Sequence, residues 1–149
     1  MEGLLPNDRP TIDFMILADY VEALHGKLYM MGGAWENIGV SDFSQPLTLS
    51  LAVGVQIPWN ATNRQHVLSI DVQSADADQI AEVDSTIMVG RPPFLEEGAS
   101  QRQSMALKIP LQLPGPGTYV IVASINGIED RRLIFRAMAT QQANMFPPG

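Results

Sequence analysis

The sequence predicts an all-β protein: an antiparallel two-sheet sandwich, immunoglobulin-like or C2-like, of about eight strands with short extended N- and C-terminal tails. Three observations predict it. Leu47, Leu49, Leu51, Val53, Val55 and Ile57 fall on one parity, and Thr48, Ser50, Ala52, Gly54 and Gln56 on the other. Successive strand side chains point to opposite faces, so this run is a strand with a buried face, whereas a helix would spread the six residues around its axis. The same period of two recurs along the chain, and turn chemistry separates the recurrences with no convincing amphipathic helix between them. Burial of each large side chain in such a face contributes about 1.5–3 kcal/mol before entropy is set against it.

In chain order, Ile12, Phe14, Ile16 and Ala18 alternate with Asp13, Met15, Leu17 and Asp19. Both parities are fairly apolar, which predicts a central strand. Ala18–Leu24 has room for a short helical turn, and His25-Gly26-Lys27 reverses the chain into residues 27–33. Gly32-Gly33-Ala34 before Trp35 marks a bend or bulge. Small residues on the second parity of 47–57 predict that this face is also partly covered. Pro58 to Asn63 is a turn, and His66, Leu68, Ile70 and Val72 begin the next alternating run. Ser74–Asp78 is a polar loop, and Gln79–Val83 has room for another helical turn. Arg91-Pro92-Pro93-Phe94 is a stiff segment that either packs across one end or presents Phe94 outward. Met105, Leu107, Ile109, Leu111 and Leu113 form another strand, which Pro110 places at an edge or at a bulge because proline gives the ladder no donor. Pro114-Gly115-Pro116-Gly117 is a tight turn, and Asn126-Gly127 is the strongest hairpin signal in the chain, joining Thr118–Ile125 to Ile128–Met138.

The 149 residues are the size of one domain. The reading is a sandwich over 11–139, an N-terminal extension over 1–10 and an extended C-terminal tail over 140–149. Hydrophobic residues are 46% of the chain, enough for a core rather than a disordered segment. There is no cysteine, which excludes disulfides, thiolate metal sites and a cysteine nucleophile, and suits a reducing compartment. Met1 to Pro10 is acidic and proline-broken, unlike a signal peptide, so a cytoplasmic location is expected. No apolar run is long enough to span a membrane, so no membrane insertion is expected. A net charge of −7 with Lys27 and Lys108 as the sole lysines argues against a nucleic-acid partner, which needs a basic footprint.

No catalytic residue, metal ligand set or cofactor motif emerges. His25 and His66 have no second histidine at ligand spacing and read as a turn and a strand-end residue. Asp76, Asp78 and Asp84 offer too few oxygens for calcium. Glu96-Glu97 and Glu129-Asp130 are adjacent and point to opposite faces, and the second pair suits Arg131 and Arg132 as partners. Asn60-Ala61-Thr62 matches a glycosylation sequon by chance. Trp59, at a turn tip with Asn60, Asn63 and Arg64, together with Trp35 and Arg91, makes up the candidate binding set. Met145, Phe146 and Pro147 form a candidate interface in the tail.

Ala18-Asp19, Gly26-Lys27-Leu28 and Gly32-Gly33-Ala34-Trp35 resemble the opening of an uncharacterised bacterial β-sandwich family, known only as a domain of unknown function. Ile57 to His66, Gly90-Arg91-Pro92 and Leu113 to Tyr119 resemble its later signatures, over roughly 11–137. The resemblance implies a bacterial sandwich and supplies no activity. The function expected is a non-enzymatic interaction module, including a structural or accessory subunit of a larger bacterial assembly, with a protein partner or homo-oligomer. The alternatives are a small-ligand or carbohydrate-binding sandwich using Trp59 and Trp35 as stacking platforms, and a cryptic metal-dependent or hydrolytic enzyme built around His66, Asn63 and Arg64.

Overall fold

The computed structural model describes residues 3–140. Met145, Phe146 and Pro147 lie outside the described residues. Nine strands run in the order β1 (Thr11–Leu24), β2 (Lys27–Gly33), β3 (Asn37–Val40), β4 (Leu47–Ile57), β5 (His66–Ser74), β6 (Gln79–Ile87), β7 (Gln101–Leu111), β8 (Gly117–Ile125) and β9 (Ile128–Ala139). One sheet has the order β2-β1-β4-β7 and the other β3-β9-β8-β5-β6. The arrangement is sandwich-like, with one sheet curled toward a half-barrel. Register irregularities at Ile12/Phe14, Val72/Gln73 and Ala123/Ser124 suit such curvature, because a bulge bends a strand and adds twist.

β4 is central and supplies the middle of the core. Leu49, Leu51, Val53, Val55 and Ile57 are buried between the sheets against Leu68, Ile70, Val72, Ile109 and Ile121. Its opposite parity is partly covered, as expected. Ala52 and Ser50 are buried, and the Phe14 ring occupies the space that a Cβ on Gly54 would need. Glycine is required there by that close approach. β7, with Pro110, is an edge strand, and β1 is central.

Four expectations need correction. The two helical turns are strands: Ala18–Leu24 is the second half of β1, paired with β2 from Ala18↔Gly33 to Leu24↔Lys27. Gln79–Val83 belongs to β6, paired with β5. In both places ladder hydrogen bonds override a weak local propensity. Among the described residues the strands number nine, because the short β3 was not legible. The sheets are not wholly antiparallel, since β3 runs parallel to β9 from Asn37↔Arg136 to Val40↔Ala139. The chain crosses from the β2 sheet through Trp35 and Glu36 and enters the second sheet in the same direction as β9. Parity in β1 also changes at its bulge. Ile12, Met15, Leu17 and Val21 are buried, while Phe14, Ile16 and Tyr20 lie on the outer face.

The N-terminal stretch is tied to the domain. Leu4 belongs to the core cluster, and Pro6–Asp8 forms a 3-10 turn. The sheets are riveted where they meet. The Ile12 N–H donates to Asp130 Oδ2 at 2.6 Å, and Arg131 Nη2 donates to the Ile12 carbonyl at 3.2 Å. Arg132 grips both oxygens of Glu129 at 2.8 and 2.9 Å, the pairing the charges suggested. At the start of β8 the Tyr119 hydroxyl donates to the Gly115 carbonyl, closing the proline-glycine turn. The Tyr119 ring stacks on Phe135 at 5.5 Å, and Phe135 meets Trp35 edge-on at 5.9 Å.

Candidate functional site

β4 ends at Ile57, and Pro58 leads the chain into a 3-10 turn, Trp59–Ala61. The turn closes through Ala61 N–H to the Pro58 carbonyl at 2.9 Å, and Thr62 Oγ1 donates to the Trp59 carbonyl at 2.7 Å. Asn63 then takes a left-handed backbone (φ 59°), which asparagine tolerates, and its N–H donates to the Val89 carbonyl at 2.8 Å. That bond brings the 88–100 connection onto the turn. Arg91 fastens it: Nε donates to Thr62 Oγ1 at 2.7 Å and Nη2 to the Trp59 carbonyl at 2.8 Å. Its guanidinium lies 3.9 Å above the Trp59 ring, a cation–π contact. Gln101 Nε2 secures the neighbouring Gly90 carbonyl at 2.8 Å. Asn60 Nδ2 reaches Asp8 Oδ1 at 3.3 Å, which ties the N-terminal 3-10 turn to the same end.

Trp59, Asn60, Asn63 and Arg91 are therefore brought together, with Arg64 half-exposed on the same connection. Trp35 is elsewhere. Ala34 N–H bonds the Leu17 carbonyl, so Trp35 sits level with Leu17, six residues or about 20 Å along β1 from Thr11. There it walls a cleft of about 470 Å³ between β1 and β9, with its Nε1 buried and without a partner among the described residues. The two indoles do not form a common stacking platform. One face of Trp59 is taken by Arg91, and Trp35 packs against the core.

His66 has a structural role that sequence reasoning missed. It is fully buried, with Nε2 2.7 Å from the Ala61 carbonyl and Nδ1 3.0 Å from Asn126 Nδ2. Asn126 Oδ1 already accepts the Val67 N–H at 2.9 Å, so the amide nitrogen faces His66. His66 therefore carries its proton on Nε2, and both nitrogens are occupied. This leaves no free lone pair for general-base or ligand chemistry. His25 is in the β1–β2 turn, at the far end of β1. Among the described residues no group of three His, Cys, Asp or Glu could hold a metal ion. Among the described residues no helix is long and apolar enough to cross a membrane.

Behind the turn, a cavity of about 190 Å³ opens between the N-terminal stretch and the β8–β9 hairpin. Leu4, Pro6, Pro10, Ile125 and Ile128 line it, with Arg9 at its rim. Phe94 stands out on the same end, 88% exposed. It occupies the second central position of a turn closed by Leu95 N–H to the Pro92 carbonyl at 2.9 Å.

At the base of this end, Asp13 pairs with Arg102 and accepts from Gln56 Nε2. The hydrogen bond from Arg102, then that from Gln56, hold its carboxyl below the ordinary value of 3.8. The folded state therefore favours the ionised form. The pair's contribution is present above about pH 4 and is lost as pH falls through the depressed folded value. In urea titrations, Asp13→Asn should lower stability at pH 7, and its difference from wild type should shrink as pH is taken below 3.8. A difference independent of pH would remove the ionic origin.

No curated protein matches the chain. Two solved structures of a bacterial adhesin from Mobiluncus mulieris, containing intramolecular disulfide, isopeptide and ester bond cross-links, align with it at a TM-score of 0.48 each. The P21 form shares 10% identity and covers 79% of this chain and 44% of the adhesin chain. The P1 form shares 7% and covers 87% and 57%. This chain thus spans about half the length of those structures. The family model that matches is one of unknown function, and it takes in residues 13–138, including most of β1, β2 to β8, most of β9 and the whole Trp59–Arg91 connection. The expected resemblance is borne out: the chain belongs to the family of unknown function DUF6941.

Proposed function

We propose that this protein is a non-enzymatic interaction module of the β-sandwich kind, serving as a structural or accessory subunit, and that it docks through the end carrying Trp59, Arg91 and Phe94. The observation that carries this reading is Phe94, a large aromatic side chain left 88% exposed on a braced turn. Interface hot spots are enriched in aromatic residues and arginine, and a turn whose backbone is held before binding loses little backbone entropy on docking. Pro92 and Pro93 stiffen the turn, and Arg91 anchors its base. Exposed Leu5, Val67, Met88 and Ile128 add apolar surface at this end.

A photo-crosslinking residue in place of Phe94, in the full chain expressed in its native source, should give a discrete protein adduct. The same residue in place of Glu82, exposed on β6, should not. Phe94→Ala should leave stability within about 0.5 kcal/mol, since the ring touches solvent. No adduct from position 94, or the same adducts from both positions, would overturn the reading.

A further inference from the structure

We infer that the cavity beside Leu4 and Ile125 receives Phe94 of a second copy of this chain, giving a two-fold dimer through the loop end. The inference rests on the interaction-module reading and names its partner. Size permits it: the cavity is about 190 Å³, and an aliphatic protein cavity of about 150 Å³ holds benzene. Leu4, Pro6, Pro10, Ile125 and Ile128 give a phenyl ring an apolar wall, and Arg9, Thr11, Asn126 and Asp130 supply the polar remainder of the lining.

Charge also matches. Arg9 is exposed at the rim and has no ion pair among the described residues. Glu96 and Glu97, both exposed, follow Phe94 within the same loop. Asp130 lines the cavity too, but its Oδ2 already accepts the Ile12 N–H, and Arg131 reaches the Ile12 carbonyl beside it. An arriving glutamate finds its opposite charge in Arg9, the one basic residue of the lining, while Asp130 keeps its own negative charge.

Placement favours closure over a filament. Arg91, three residues before Phe94, stacks on Trp59, and the adjacent Asn60 bonds Asp8 in the turn whose Pro6 lines the cavity. Knob and hole are thus neighbours on one end. A two-fold axis between them can seat each Phe94 in the other copy's cavity, and such an isologous contact leaves no free site to propagate. Exposed Leu5, Val67 and Ile128 near the cavity would be covered in the same step.

Sedimentation equilibrium of the full chain tests this. The wild type should move from a 16.3 kDa monomer to a dimer as concentration rises. Phe94→Ala and Arg9→Glu should each weaken dimerisation at least tenfold. The triple change Arg9→Glu, Glu96→Arg, Glu97→Arg should restore most of it, a result that misfolding cannot imitate. A wild type that stays monomeric at several hundred micromolar overturns the inference, as does Phe94→Ala with an unchanged dimer constant. If the chain is monomeric while position 94 still crosslinks to a different protein, the module reading stands and self-association alone falls.

Discussion

Phe135→Ala is expected to cost about 3–5 kcal/mol, the largest loss of any single truncation in the core. Phe135 is fully buried, lies face to face with Tyr119 at 5.5 Å and takes the Trp35 edge at 5.9 Å. Its removal takes away the ring's transfer energy and both aromatic contacts, each worth about 0.5–1.5 kcal/mol beyond area. The site cannot easily collapse. Tyr119 is fixed at its hydroxyl by the Gly115 carbonyl, and Trp35 by the bond from the neighbouring Ala34 N–H to Leu17. Against a total stability of about 5–15 kcal/mol, the melting temperature should fall by roughly 6–20 °C. Urea unfolding followed by far-ultraviolet circular dichroism measures it. Phe135→Leu, which keeps most of the volume, should cost about 1–2 kcal/mol. A loss below 1 kcal/mol for Phe135→Ala would mean that β9 does not turn this residue inward.

Legibility of the fold in the sequence tracked the length and regularity of each pattern. β4 was readable because large apolar and small or polar residues alternate over eleven positions without interruption, and the apolar parity from Leu49 to Ile57 is buried. β1 was readable as a strand but not in its facing, since the bulge between Ile12 and Phe14 moves the core set onto Met15 and Leu17. β3 has four residues, two of them Asn37 and Gly39, and is a strand only because β9 offers an open edge there. Gln79–Val83 has the spacing of a helical turn, yet β5 supplies it with a ladder.

The site followed the same rule. Trp59 on a turn and the stiffness of Arg91-Pro92-Pro93-Phe94 are local properties, and they were readable. That Arg91 would fold back onto Trp59 was not, because 32 residues separate them and β5 and β6 set their approach. The His66–Asn126 contact spans 60 residues and depends on the β5–β8 register, in which Leu68 faces Ile125.

That contact carries the second large expected effect. Asn126 and Gly127 both adopt left-handed backbone, at φ 52° and 81°, the geometry of a two-residue type I′ hairpin turn. Asparagine meets that demand, and its amide does two further things. Oδ1 accepts the Val67 N–H at 2.9 Å, and Nδ2 donates to buried His66 Nδ1 at 3.0 Å. Asn126→Ala should cost about 2–4 kcal/mol: roughly 1 for alanine in a left-handed conformation and about 1–3 for an imidazole nitrogen left buried without a partner. Asn126→Gly removes the backbone strain and keeps the second loss, so it should fall between wild type and Asn126→Ala. Asn126→Asp preserves an acceptor for Val67 but in its ionised form offers His66 Nδ1 no donor. Long-range proton–nitrogen correlation spectra should show His66 protonated at Nε2 in the wild type. A cycle pairing Asn126→Ala with His66→Ala should be non-additive by about 0.5–3 kcal/mol, as expected for direct partners. Additive losses, or a proton found on Nδ1, would mean that the hairpin is not pinned to β5 through this histidine. The same pin holds Ile125 and Ile128 at the cavity, so its loss should also weaken any docking there.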